Sequence, residues 1–260
     1  MNKKFKFFLS SLFLSILFFV ILFLPYGWHY LGVVLLFVLT VLVYWLALKV
    51  LRYKSFRLKG MMVLLPAGFV VGSSLFLGLL YLSLFFKVFL ALFFGVVIYV
   101  IFLVENIFLV AIGYKTVPLY RAAYTVSLIL LLLTAFFLFD SVLSFRVGCY
   151  FNAFSVFLVS LALYAYQFWA ITIGLPDDGK SKSLAYVWIP ALLMGELALV
   201  FSFWPVGIFK GSIYLVFFIY IVSGLLQAEL RGRLFKKTWL GLVWVFVAVV
   251  LGILMATKWG

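Results

Sequence analysis

LGVVLLFVLTVLVYWLAL, residues 31–48, runs into KVLRYKSFRLK, residues 49–59, and then into MMVLLPAGFVVGSSLFLGLLYLSLFF, residues 61–86. Two long apolar runs are separated by a short segment that holds Lys49, Arg52, Lys54, Arg57 and Lys59. An apolar run of about 20 residues crosses a hydrocarbon core roughly 30 Å thick as a helix. Cations in the gap between two such runs hold that gap on the cytoplasmic side. The rest of the chain repeats the alternation, so this stretch sets the fold class. The sequence predicts an all-α, polytopic membrane helix bundle.

Composition excludes the soluble classes. The 260 residues are 69% hydrophobic and 10% charged. Soluble domains carry roughly 25% charged residues. The runs predict nine spans: Phe7–Leu24, Leu31–Leu48, Met61–Phe86, Val88–Gly113, Ala122–Phe139, Asn152–Gly174, Leu184–Phe203, Ser212–Ala228 and Trp239–Thr257. They are continuous and do not alternate in period two, which favours helices over a β-barrel. Residues 1–260 read as one transmembrane domain. Span four is the least regular, because Glu105 and Asn106 interrupt it. It can end at Val104, with Ile107–Gly113 lying along the interface.

The cations sort by side. The N-terminal tail and the gaps after spans two, four, six and eight hold sixteen of the 20 Lys and Arg residues. Lys87, Arg146, Lys210 and Lys258 are left for the other side. This bias places the N-terminus in the cytoplasm and the C-terminus outside. Seven of the eight Trp residues fall at or near span ends, where an amphipathic ring prefers to sit, and Trp244 is the exception. A net charge of +14 would point to nucleic acid in a soluble protein. Here topology and anionic headgroups account for it, so membrane lipids are the expected partners and nucleic acid is not. Lys3, Lys4 and Lys6 before Phe7–Leu24 imitate a signal peptide, but the apolar stretch is long and no A-x-A-like site follows. We read it as an uncleaved span.

Cys149 and His29 are the only residues of their types. A lone cysteine and a lone histidine supply neither a zinc site nor a histidine-based triad. The expectation is no metal, no cofactor and no catalytic residue.

Several less common residues recur 124 positions apart: Trp45 and Trp169, Pro66 and Pro190, Ala67 and Ala191, Glu105 and Glu229. This offset predicts a parallel 4+4 repeat, residues 5–113 and 122–237, with an extra span at 239–257. Pro66 precedes Gly68-x-x-x-Gly72, and Pro190 precedes Ala191-x-x-x-Gly195. Small residues four apart let helix backbones approach, and proline removes a backbone donor. Corresponding proline-interrupted spans in two halves point to a transporter's binding site. Two tightly packed helices explain the same pattern without transport.

Glu196 is the outstanding polar residue. It lies twelve positions into span seven, roughly 18 Å along the helix and near the midplane. A carboxyl there must be neutral, paired or in contact with water. Ser73 and Ser74 in span three are its expected hydroxyl partners. Glu196 then either titrates and contacts a ligand, or serves as hydrogen-bonded packing. Glu105 and Glu229 are expected to pair with nearby cations, Lys115 or Arg121 for one and Arg231 or Arg233 for the other. Asp140 is expected to answer Arg146. Asp177 and Asp178 read as a turn, and Tyr164 and Gln167 as ordinary polar contacts. Lys49, Arg52, Lys54, Arg57 and Lys59 either fix topology or touch lipid headgroups.

The segment ENIFLVAIGYKTVPLYRAAYTVSLILLLLTAFFLFDSVLSF, Glu105–Phe145, resembles a segment of uncharacterised multi-span membrane proteins of uncultivated bacterial lineages. That resemblance implies a bacterial inner membrane and no particular activity. No match appears to CAAX-type or rhomboid proteases. Three functions remain open. One is a small permease-like protein acting through Glu196. Another is a non-catalytic scaffold or lipid-interacting component of a complex with unidentified protein partners. A lipid-modifying enzyme is the third, and it lacks catalytic side chains.

Overall fold

The computed structural model describes residues 3–48, 56–113, 118–175, 185–232 and 235–257. Among these residues there are nine α-helices and no strand. They are α1 Lys3–Ile21, α2 Tyr26–Leu48, α3 Phe56–Gly78, α4 Leu84–Gly113, α5 Tyr120–Ser144, α6 Cys149–Ile173, α7 Ala185–Phe203, α8 Ile208–Leu230 and α9 Lys236–Ala256. By length and composition, α1 to α8 can cross a membrane, while the apolar stretch of α9, Trp239–Met255, is shorter. All nine expected spans appear as helices. Most begin several residues earlier than the apolar runs do, because a helix carries its polar first turn into the interface.

The fourth span differs from one expectation. α4 is a single helix of 30 residues that passes unbroken through Glu105 and Asn106. At 1.5 Å per residue it is about 45 Å long, more than a hydrocarbon core requires. The helix survives because Glu105 is turned inward, between the buried Phe102, Phe108 and Leu109. An inward acid leaves the outer apolar face continuous.

The chain forms two compact units, Met1–Leu138 and Phe139–Gly260. The division falls inside α5, whereas the repeat read from the sequence divides between α4 and α5. The first unit has an aromatic core. Phe18 stacks on Phe94 at 4.1 Å, and Phe102 stacks on Phe7 at 5.5 Å and on Tyr44 at 5.0 Å. Such ring pairs add about 0.5–1.5 kcal/mol beyond the area they bury. The Ser15 hydroxyl donates to the Ala91 carbonyl at 2.6 Å and ties α1 to α4.

Small residues set the closest approaches. A Cβ on Gly72 would stand 3.1 Å from the backbone nitrogen of Leu138, and one on Gly68 would stand 3.2 Å from Thr134. The GxxxG pattern of α3 therefore lies against α5. In the second unit, a Cβ on Gly195 would stand 3.1 Å from the Ala153 carbonyl and 3.0 Å from Phe157. Ala191 is fully buried one turn earlier, so the small face of α7 lies on α6. Both helices continue through their prolines, Pro66 and Pro190. α9 is held to α8 by Gly224 against Leu242, by the Phe218–Phe246 ring pair and by a bond from the Tyr214 hydroxyl to the Gly252 carbonyl.

Candidate functional site

The second unit contains a stripe of polar side chains on one face of α6. Asn152, Ser160, Tyr164 and Gln167 follow one another at intervals of eight, four and three residues, so they share a face. The stripe extends about 22 Å along the helix axis. All four are buried, Ser160 and Tyr164 completely. From α8, Ser223 donates to Gln167 Oε1 at 2.6 Å. Ser212 donates to Asp140 Oδ1 at 2.9 Å, and the Ser144 side chain bonds the same carboxyl. Hydroxyls of α8 thus meet amide and carboxyl groups of α6 and α5.

This seam is under-satisfied. Among the described residues, Asn152 Oδ1, Ser160 Oγ, Tyr164 OH and Gln167 Nε2 are buried and have no hydrogen-bond partner. Each such group costs about 1–3 kcal/mol. Buried polar groups in native proteins are nearly always bonded to protein or ordered water. Four such groups share one face of α6.

The seam ends in a cavity of about 480 Å³ lined by Arg146, Cys149, Asn152, Ser202, Trp204 and Ile208 among others. Asn152 belongs to both the cavity and the seam. Trp204 Nε1 donates to Thr257 Oγ1 at 2.7 Å, so the end of α9 braces the cavity wall.

Asp140 is therefore not the partner of Arg146 that charge alone predicts. It is buried and bonded to serines, while Arg146 is exposed. Burial favours short hydroxyl donors, one from α8 and one from α5 itself, over a long, strongly hydrated side chain. Sequence reading missed this seam because serine, asparagine and tyrosine are common in any helix. Their spacing on α6 was the available signal.

Glu196 lies on the outer side of α7. Its side chain is exposed, and exposed Ile189, Leu192, Leu193, Val200 and Phe203 surround it along the helix. Ser73 and Ser74 belong to α3 of the first unit and are buried. The Ser73 hydroxyl donates to the Phe69 carbonyl of its own helix at 2.6 Å. The Ser74 carbonyl faces His29 Nε2 at 3.0 Å, and His29 Nδ1 lies 3.3 Å from the Ile21 carbonyl. The ring of His29 thus links the end of α1 to α3. It lines a second cavity, of about 400 Å³, together with Lys87, whose ammonium lies 4.2 Å from the centre of the Phe23 ring.

Glu105 is completely buried in α4. Arg121, one of its expected partners, is exposed, as is Glu229. Lys115, Arg233, Asp177 and Asp178 lie outside the described residues. So do Lys49, Arg52 and Lys54 of the basic segment, while Arg57 and Lys59 fall in the first turn of α3. Among the described residues, no three His, Cys, Asp or Glu side chains gather as metal ligands.

These features define a class: a multi-helix apolar chain, able by composition to lie in a membrane, with a polar seam inside one of its units. The chain belongs to the DUF5656 family, described as proteins of unknown function, whose pattern matches residues 56–256. The match runs from the first turn of α3 through α9 and includes the Glu105–Phe145 segment. No curated protein and no solved structure matches the chain.

Proposed function

We propose that the protein is a multi-pass component of a bacterial inner membrane, N-terminus in and C-terminus out, with a permease-like role for a small polar or lipidic molecule. The observation that carries this reading is the buried seam of α6, with four unsatisfied polar atoms leading from a cavity. In hydrocarbon such groups are retained where they line a path or face a partner. The cation bias supplies the orientation, and the parallel repeat remains part of the same reading.

Water access tests it without knowledge of the substrate. In a Cys149→Ser background, Ser160→Cys is expected to react with a small water-soluble thiol reagent. Leu192→Cys, on the exposed apolar face of α7, is expected to stay unreactive in a bilayer. An unreactive thiol at position 160 in folded, reconstituted protein sinks the permease reading.

Glu196 favours a second role beside the first. An acid in an exposed apolar helix face is costly against lipid, so this face suits a partner helix that offers a hydrogen-bond donor. The scaffold reading rests on that exposure. Glu196→Leu removes the group without touching the core and should release such a partner.

A further inference from the structure

The cavity beside Arg146 has a chemistry more specific than a polar opening. It lies where α5 and α7 end and α6 and α8 begin. Gly148 and Gly207 are the N-caps of α6 and α8, and neither helix start has a side-chain cap or an acid in its first turn. The first helical bonds are donated by Asn152 to Gly148 and by Gly211 to Gly207. The N–H groups at 149–151 precede the first of those bonds. Two helices of 25 and 23 residues thus bring the positive ends of their dipoles to one cavity. Cys149, Ile208 and Gly211 place both first turns in its wall, and Arg146 adds a full positive charge.

Asn152 makes a different and independent demand. It is 8% exposed, lines the cavity, and its Oδ1 has no hydrogen-bond partner. A carbonyl oxygen only accepts, so a fully ionised phosphate cannot satisfy it. The cavity therefore holds groups that suit an anion and one acceptor that suits a donor.

We infer that this cavity binds a phosphate ester that also carries a hydrogen-bond donor, a primary amine above all. The phosphate meets Arg146 and the two helix starts. The ammonium meets Asn152 Oδ1. A phosphoethanolamine headgroup has this form, whether it belongs to a phospholipid or to a free phosphate ester. The inference deepens the permease reading by naming the ligand at one end of the seam, and depends on that reading only for the leaflet it serves.

Cys149 reports on the site, since it lines the cavity and is the chain's only cysteine. The full chain is placed in phosphatidylcholine nanodiscs, and the rate of Cys149 alkylation is measured. Added phosphatidylethanolamine is expected to slow the reaction, and phosphatidylcholine alone is not, because its methylated amine has no proton to donate. Phosphoethanolamine in solution, with phosphocholine as its control, forms the second arm. Protection by the lipid only identifies a headgroup site, and protection by both identifies a site for the free ester as well.

Arg146→Gln should weaken protection about tenfold, since it removes a charge-assisted bond. Asn152→Leu should erase the preference for ethanolamine over choline. Arg146 is exposed, so its variant carries the test even where Asn152→Leu disturbs folding. Absence of protection in both arms, equal protection by the choline compounds, or full protection in Arg146→Gln overturns the inference. Protection with an unreactive Ser160→Cys sinks the permease path and keeps the ligand. A reactive Ser160→Cys without protection does the reverse.

Discussion

Asp140 and Arg146 lie six positions apart and have side chains of opposite charge type, yet Asp140 is buried against serines and Arg146 is exposed. The lesson at the scale of single residues is that charge names candidates and burial decides partners. Glu105 and Glu229 look equivalent in the sequence, but one is fully buried and the other exposed. Glu196 drew attention for its depth, which the sequence shows. Its direction depends on which face of α7 meets α6, and the small residues Ala191 and Gly195 fix that. We expect Glu196→Leu to shift the stability of the isolated chain by less than about 0.5 kcal/mol, as surface substitutions do. In native membranes the same variant should lose any partner seated on α7. Thermal unfolding in detergent and native mass spectrometry of extracts check the two halves. A large loss of intrinsic stability counts against the exposed placement, and an undiminished complex counts against the docking role.

At the scale of elements, the nine helices were legible because bilayer-length apolar runs leave few alternatives. Their ends were less so, since a helix continues into polar sequence until a turn or loop stops it. α4 shows the same physics in its interior, where two polar residues failed to break the helix once one of them faced inward. The small-residue patterns of α3 and α7 were also visible, but the partner helices were not. Packing partners follow from three-dimensional complementarity that a single strand of text does not contain. The close approaches give a test. Gly72→Ala and Gly195→Ala press a methyl toward the backbone of Leu138 and Ala153, which cannot rotate away. Each should destabilise the protein by about 1–3 kcal/mol, the usual cost of overpacking. Gly241→Ala meets nothing within 4 Å, so it should be neutral or slightly stabilising, as alanine is the better helix former. Equal melting temperatures for all three variants contradict the packing of both pairs.

At the scale of the whole molecule, orientation is the property that charge makes most explicit. Sixteen of the 20 Lys and Arg residues fall in alternate gaps, and the orientation proposed from that bias puts the loop before α6 outside. A membrane-impermeant maleimide should therefore reach Cys149 from the extracytoplasmic face in intact spheroplasts. Labelling confined to inverted vesicles sinks the nine-span orientation. The candidate site was far less legible. Hydropathy reports what a helix faces on average, and the seam of α6 is a local departure from that average. Its members are ordinary residues that acquire meaning from what surrounds them, in particular from the serines of α8.

Arg146 is the described non-glycine residue with a positive φ, 48°. An L-residue in that region is strained by roughly 1–2 kcal/mol, and glycine is not. Glycine also loses more entropy on folding, so replacing Arg146 with it should still leave a modest net gain. A screen for heat-tolerant variants would thus tend to pick position 146 early. It would harvest a sturdier protein stripped of the cation that lines the cavity, and that protein is expected to fail the Cys149 protection test.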